Sequence, residues 1–131
     1  MEDNFKLEII SPEKIIFSDN VTMVTLPSYE GDMGVLKHHI SIITFLRPGI
    51  IKIQKNGENF EEFFIQDGTV EYFNDSLVVL SASAINVKNA SKGFLDKLNK
   101  DTQDKLADEN ITDHERYVLN RKLDVLKEIR V

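Results

Sequence analysis

The chain contains no cysteine. Disulfides, zinc–thiolate centres and thiol nucleophiles are excluded, and the composition fits a reducing compartment. It also lacks an excess of positive charge. Against 22 Asp and Glu stand 16 Lys and Arg, for a formal net charge of −6, which argues against nucleic acid as the main partner. No apolar run approaches the ~20 residues a transmembrane helix needs. The opening MEDNFKLEII is acidic and shows no basic-then-apolar leader, so no signal or transit peptide is expected. The G-x-S-x-G elbow, the Walker loop and the dinucleotide glycine fingerprint are missing as well. No carboxylate pair is set apart by its surroundings, so no catalytic residue and no cofactor is assigned.

What is present suits one compact domain, or a small domain with an appendage: 131 residues, 41% hydrophobic and 29% charged. The charge is uneven. Residues 1–88 carry seven Lys/Arg against thirteen Asp/Glu, whereas residues 89–131 carry nine of each. That shift from an acidic front to a densely mixed tail marks a boundary.

The apolar period changes at the same place. From Phe5 to about Ile85 the chain reads as short strands separated by turn residues. Turns are expected at Ser11-Pro12, Asp19-Asn20, Arg47-Pro48-Gly49, Asn56-Gly57, Asp67-Gly68 and Asn74-Asp75. Asn56-Gly57 suits a two-residue hairpin, because both central positions need positive φ. This spacing predicts an antiparallel β-sandwich, or flattened barrel, over residues 1–86.

Over residues 87–131 the pattern is helical. Leu95, Leu98, Thr102 and Leu106 form a thin stripe, with Gly93 weakening the start. Asp108-Glu109-Asn110 breaks it. Thr112 and Glu115 then match a capping box, opening a second helix of about 18 residues with Val118/Leu119, Leu123, Leu126 and Ile129 on one face. The overall class is mainly β plus α: a sandwich followed by an antiparallel two-helix hairpin. Narrow stripes like these bury little, so the hairpin should lean on something else.

The segment YEGDMGVLKHH, Tyr29 to His39, supports two readings. Glu30, His38 and His39 are metal-ligand types, and a stand-alone β-barrel metalloenzyme is the alternative function. Adjacent histidines are nevertheless a poor ligand pair. They point to opposite faces of a strand and splay apart on a helix, whereas metal pairs favour i,i+2 or i,i+4. No metal site is assigned. Gly31 and Gly34 instead bend a loop that mixes Met33, Val35 and Leu36 with charge, which suits a protein contact. Tucking of Val35 and Leu36 into the core is the competing explanation.

EGDMGVLKHHISIITFLRPG resembles a signature of the epsilon subunit of the bacterial, proton-translocating rotary ATP synthase. Matching positions are Glu30, Gly31, Asp32, Met33, Gly34, Val35, His39, Ile42, Ile43, Thr44, Pro48 and Gly49. FFIQDGTVEYFNDSLVVLSASA resembles a second signature through Gly68 and Glu71, and LEIISPEKIIFS resembles the family's first hairpin. Lys37 and Ser41 depart from usual prolines, His38 from a frequent glycine, and Ala82 from a frequent acid.

The resemblance implies a β-sandwich plus two helices in a non-catalytic rotor subunit. It implies that the sandwich holds the gamma stalk and touches the membrane c-subunit ring, with Glu30, Gly31, Asp32, Met33, Gly34, His38 and His39 at the ring or stalk. It implies a location peripheral to the bacterial inner membrane, on its cytoplasmic side. The hairpin of many relatives extends toward the alpha/beta catalytic head and blocks hydrolysis. Here Arg116, Arg121, Lys122, Lys127 and Arg130 are the bases for such a contact. Some relatives bind ATP through [IL]-D-x-x-R-A. Asp113 and Arg116 match that pattern, Thr112 and Tyr117 do not, and helix capping already accounts for Thr112, Asp113 and Glu115.

Overall fold

The computed structural model describes residues 3–129; Arg130, one of the bases named above, lies outside them. The strands are β1 (Phe5–Ile10), β2 (Ile15–Val21), β3 (Met23–Ser28), β4 (Gly31–Val35), β5 (Ile42–Leu46), β6 (Gly49–Lys55), β7 (Glu58–Ile65), β8 (Gly68–Phe73), β9 (Ser76–Leu80) and β10 (Ile85–Asn86). After a short 3-10 turn at Val87–Asn89 come α1 (Lys92–Leu106) and α2 (Asp113–Glu128).

One sheet links all ten strands in the order β10-β7-β6-β3-β5-β8-β9-β1-β2, with β4 paired to β3. It curls so that alternate side chains meet in a common core. In β1, Phe5, Leu7 and Ile9 point inward; in β6, Ile51 and Ile53; in β8, Val70 and Tyr72; in β9, Leu77 and Val79. Pairing is antiparallel except between β1 and β9, which run parallel. The expectation of antiparallel pairing throughout therefore needs one correction. Parallel neighbours need a long connection, and here the rest of the sandwich supplies it.

Two expected turns are corrected. Asp19 and Asn20 lie within β2, paired with Leu7 and Lys6. The bend comes at Thr22, whose N–H and hydroxyl both donate to the Gln54 carbonyl, at 3.0 and 3.1 Å. Asp19 accepts instead from the Lys55 ammonium at 2.8 Å, pinning β2 to β6. The second correction concerns Tyr29–His39. It is not one loop: Gly31–Val35 forms β4, which pairs with β3. Asn56-Gly57 does form the hairpin expected, with φ of 56° and 81°.

β7 keeps the alternation but is apolar and buried on both faces, and thereby seats the hairpin. Phe63 and Ile65 enter the sandwich core, while Phe64, fully buried, points the other way into a second cluster with Ala90, Leu95, Val125, Leu126 and Ile129. α1 starts despite Gly93 because the Ser91 hydroxyl accepts from the Phe94 N–H at 3.1 Å. The capping box of α2 is formed: Glu115 N–H donates to the Thr112 hydroxyl at 3.0 Å, and Thr112 N–H to the Glu115 carboxylate at 2.9 Å. α2 has 16 residues and stops at Glu128, shorter than expected, because Ile129 turns extended. Its buried face carries Lys122 and Val125 in addition to Leu126.

Gly49 sits where β6 meets β3. A Cβ there would lie 2.4 Å from the Pro27 Cβ, and Pro27 is itself buried. Gly49→Ala should cost about 1–3 kcal/mol by overpacking, read as a fall in the thermal midpoint of the full chain with secondary structure retained.

Candidate interaction surfaces

Three surfaces stand out. The first is the loop of residues 36–41 between β4 and β5. Val35 is core, Met33 half-buried, and Leu36 and Ile40 project at 55% and 78% exposure. Core packing thus accounts for Val35 but not for Leu36. Glu30 and Asp32 are exposed along the β3–β4 hairpin. Its turn is closed by the Ser28 hydroxyl, which donates to the Gly31 carbonyl at 2.6 Å.

The adjacent histidines have separate partners. His38 stands at φ 66°, a left-handed conformation that costs a non-glycine residue on the order of 1–2 kcal/mol. Its N–H donates to Asp75 Oδ1 at 2.9 Å, and its Nδ1 lies 3.5 Å from Asp75 Oδ2. His39 packs edge-on against Tyr72, with ring centroids 5.5 Å apart, and its Nδ1 is 2.7 Å from the Ile40 carbonyl. The Tyr72 hydroxyl donates to the same Asp75 Oδ1 at 2.8 Å. The His38 N–H, then the Tyr72 hydroxyl, hold the Asp75 carboxyl below the usual carboxylate range. Desolvation, then the Asp75 hydrogen bond, raise the Tyr72 phenol. Among the described residues no group of three His, Asp or Glu side chains converges as a metal site. The metalloenzyme reading has no support: His38 faces Asp75 of the β8–β9 turn, and His39 leans on Tyr72 of β8.

The second surface is the outer face of β5, β8 and β9, which sequence reasoning missed. Ile43 and Phe45 on β5, Phe73 on β8 and Leu80 on β9 are 75%, 65%, 66% and 51% exposed. Ile43 pairs with Glu71, Phe45 with Thr69, and Thr69 with Leu80, so these side chains share one face. A groove of about 630 Å³ runs beside them, lined by Ile10, Pro12, Tyr29, Phe45, Leu80 and Ala82 among others. Large apolar side chains clustered this way mark a contact surface. The signal was present in IITFL, where apolar residues occupy both parities of a strand and so require cover on both faces.

The third surface is the joint between the sandwich and α2. Tyr29 packs against the rings of His114 and Tyr117, with centroids 5.9 and 6.2 Å away. Arg47 Nη1 donates to the Tyr117 hydroxyl at 2.9 Å. Burial, followed by the proximity of Tyr117 and Asp67, raises the Tyr29 phenol. Asp113 and Arg116 lie exposed in the first turn of α2. Of the remaining bases, Lys127 is exposed, Arg121 half-buried and Lys122 buried. Lys122 is therefore not displayed for an external contact while the hairpin is docked.

What these surfaces offer is contact; fold and surface together define a β-sandwich with a helical hairpin and an open apolar contact face. Comparison with known proteins narrows the class. The family described as "ATP synthase, Delta/Epsilon chain, beta-sandwich domain" matches residues 4–87. The ATP synthase epsilon chain of Pelagibacter ubique is 44% identical over 129 residues, 97% of this chain and 98% of the relative. That of Parvibaculum lavamentivorans is 33% identical over 134 residues, 99% and 98% of the two chains. The fold is similar to a chain in the Euglena gracilis mitochondrial ATP synthase F1/c-ring structure. There the TM-score is 0.72 at 18% identity, covering 97% of this chain and 79% of that one. A chain in the Tetrahymena thermophila central stalk and c-ring structure gives a TM-score of 0.64 at 13% identity, covering 97% and 96%. The chain belongs to the ATP synthase epsilon chains, which are non-catalytic subunits of that complex. No helix among the described residues is long and apolar enough to cross a membrane.

Lys122 generates a prediction about the docked hairpin. Burial, reinforced by Lys105, pushes its ammonium below the usual lysine range, against the opposing pull of Asp101 and Asp67. A lysine lowered in the folded state penalises folding while both states are charged. As pH rises through the lowered value, the folded state sheds its proton first, and stability increases up to the ordinary lysine range. Lys122→Met should strengthen hairpin docking by about 1 kcal/mol and abolish that alkaline gain. Amide exchange in α1 and α2, followed against pH, measures both.

Proposed function

We propose that this chain joins the gamma subunit to the membrane c-subunit ring in the central stalk of a bacterial ATP synthase, on the cytoplasmic side of the inner membrane. The observation that carries the reading is the apolar outer face formed by Ile43, Phe45, Phe73 and Leu80 on a sheet whose other face is packed core. Torque passes through a joint only if the joint is stiff, and a close-packed sandwich is stiff. Gamma takes the β5–β8–β9 face. The ring takes the loop end, with Glu30, Gly31, Asp32, Met33, Gly34, His38 and His39 in or beside the contact. Membership of the epsilon chains supports gamma and the ring as the partners.

The hairpin supplies the second role. Docked, it hides Lys122 and half-buries Arg121. Released, it would present Arg116, Arg121, Lys122 and Lys127 to acidic segments of the alpha/beta head and restrain hydrolysis. A nucleotide role for Asp113 and Arg116 is not favoured by any observation. Tyr117, which stands in the alanine position of that pattern, is turned onto Tyr29 and Arg47.

Two measurements test these roles. Phe45→Asp combined with Ile43→Asp should weaken gamma capture at least ~10-fold, because it places charge in a desolvated apolar contact, while circular dichroism stays native. Undiminished capture removes the face from the gamma contact, and absence of capture by the native chain removes gamma itself. Deletion of residues 89–131 should raise ATPase activity of the reconstituted enzyme severalfold. Unchanged activity leaves the hairpin without an inhibitory role.

A further inference from the structure

Loop 36–41 carries a conformational demand that its sequence does not meet alone. The His39 N–H donates to the Leu36 carbonyl at 3.2 Å, closing a four-residue turn with His38 as its third residue. Among the four residues only His38 has positive φ, which is the type II arrangement. That position favours glycine, or asparagine, because a Cβ crowds the neighbouring carbonyl. A histidine held there carries a conformational cost, which an outside partner can offset.

Asp75 has the geometry for it. It is the second central residue of the β8–β9 hairpin, where Asn74 and Asp75 have φ of 51° and 59°. This mirror-image turn fixes the Asp75 backbone independently of the loop. The Asp75 carbonyl accepts from the Lys6 N–H at 3.1 Å, tying it also to β1. From this fixed base its Oδ1 receives the Tyr72 hydroxyl and the His38 N–H, at 2.8 and 2.9 Å. Tyr72 is fully buried and meets Phe5 edge-on at 5.8 Å, so the carboxylate is anchored to the core. The second contact, from His38 Nδ1 to Oδ2, is 3.5 Å long on an imidazole 76% exposed. Solvent and salt screen such a pair. The amide bond, charge-assisted and well placed, is the stronger hold.

We propose that Asp75 is a positioning residue: its carboxylate holds His38 in the left-handed conformation that the turn requires, and so fixes how Leu36 and Ile40 are presented to the ring. The functional half of this rests on the ring-facing reading of the loop; the structural half does not. A simpler role exists for Asp75, namely satisfying the buried Tyr72 hydroxyl. That role predicts nothing about residue 38.

The test is a set of variants in the full chain, read by amide exchange at His39, whose N–H closes the turn. Asp75→Ala should speed that exchange roughly tenfold, the scale of one charge-assisted hydrogen bond in solvent contact. Asp75→Asn retains an oxygen acceptor and should preserve most of the protection. The decisive variant is His38→Gly in the Asp75→Ala background. Glycine meets the turn's demand without help, so protection should return to within about twofold of native. No change at His39 in Asp75→Ala, or no rescue by glycine, overturns the positioning role. Binding of the gamma–epsilon pair to purified c-ring separates the two halves. It should fall in Asp75→Ala and recover with His38→Gly. If exchange follows the pattern above while ring binding stays constant across the series, the clamp stands, and its link to the ring is overturned.

Discussion

A β-strand sends side chains to two faces, and this sheet is apolar on more surface than its own curvature can cover. The core takes one face throughout. Among the described residues the hairpin covers the reverse face where Phe64 and Ile50 meet Ala90, Leu95, Val125 and Leu126, and where Tyr29 meets Tyr117. Over β5, β8 and β9 the reverse face carries Ile43, Phe45, Phe73 and Leu80 in solvent. Burial at roughly 25 cal/mol per Å² rewards covering such a face. Among the described residues nothing covers it, which marks it as a surface for a partner. The hairpin and an outside partner are thus two answers to one constraint, applied at different strands.

The two answers differ in permanence. The hairpin rests on a small apolar cluster, an aromatic contact at Tyr29 and one hydrogen bond from Arg47 to Tyr117. It also buries most of the Lys122 side chain between α2 and its neighbours, and desolvation there disfavours the charged ammonium, a feature that works against docking. Elements with few buried contacts open at lower free energy than the core they sit on. A sandwich with a fully buried interior and a helical pair with a mixed seam therefore open separately. Opening of the hairpin would leave the β5–β8–β9 face and loop 36–41 unchanged.

Much of this architecture is legible in the residues. The switch of apolar period after Asn86, the Asn56-Gly57 turn and the Thr112–Glu115 capping box are local signals, decided by a few neighbouring side chains. The errors fall where distant partners decide. Asp19-Asn20 has turn composition, but β1 and Lys55 hold it in a strand. Gly31–Val35 looks like a glycine loop, but pairing with β3 makes it β4. The parallel β1–β9 register joins residues some seventy positions apart, and no local pattern carries it. The exposed face was missed for a related reason. IITFL reads equally as a strand buried on both sides, and only the fold shows which side is open.

The adjacent histidines show how a chemical-looking pair is absorbed by structure. Read as ligand types, His38 and His39 suggest a cation. Read as backbone positions, one occupies a left-handed turn and the other leans on a core tyrosine. The carboxylate that would have completed a metal site by composition, Glu30, is on a different hairpin turn. The one that engages His38, Asp75, comes from strands far along the chain. An enzyme keeps such groups underused until substrate arrives, with ligand atoms free and pKa values tuned. Here the His38 N–H, the His39 N–H and the His39 Nδ1 are engaged in holding the loop's shape. Those bonds hold two exposed apolar side chains, Leu36 and Ile40, in a fixed attitude, as a contact surface requires.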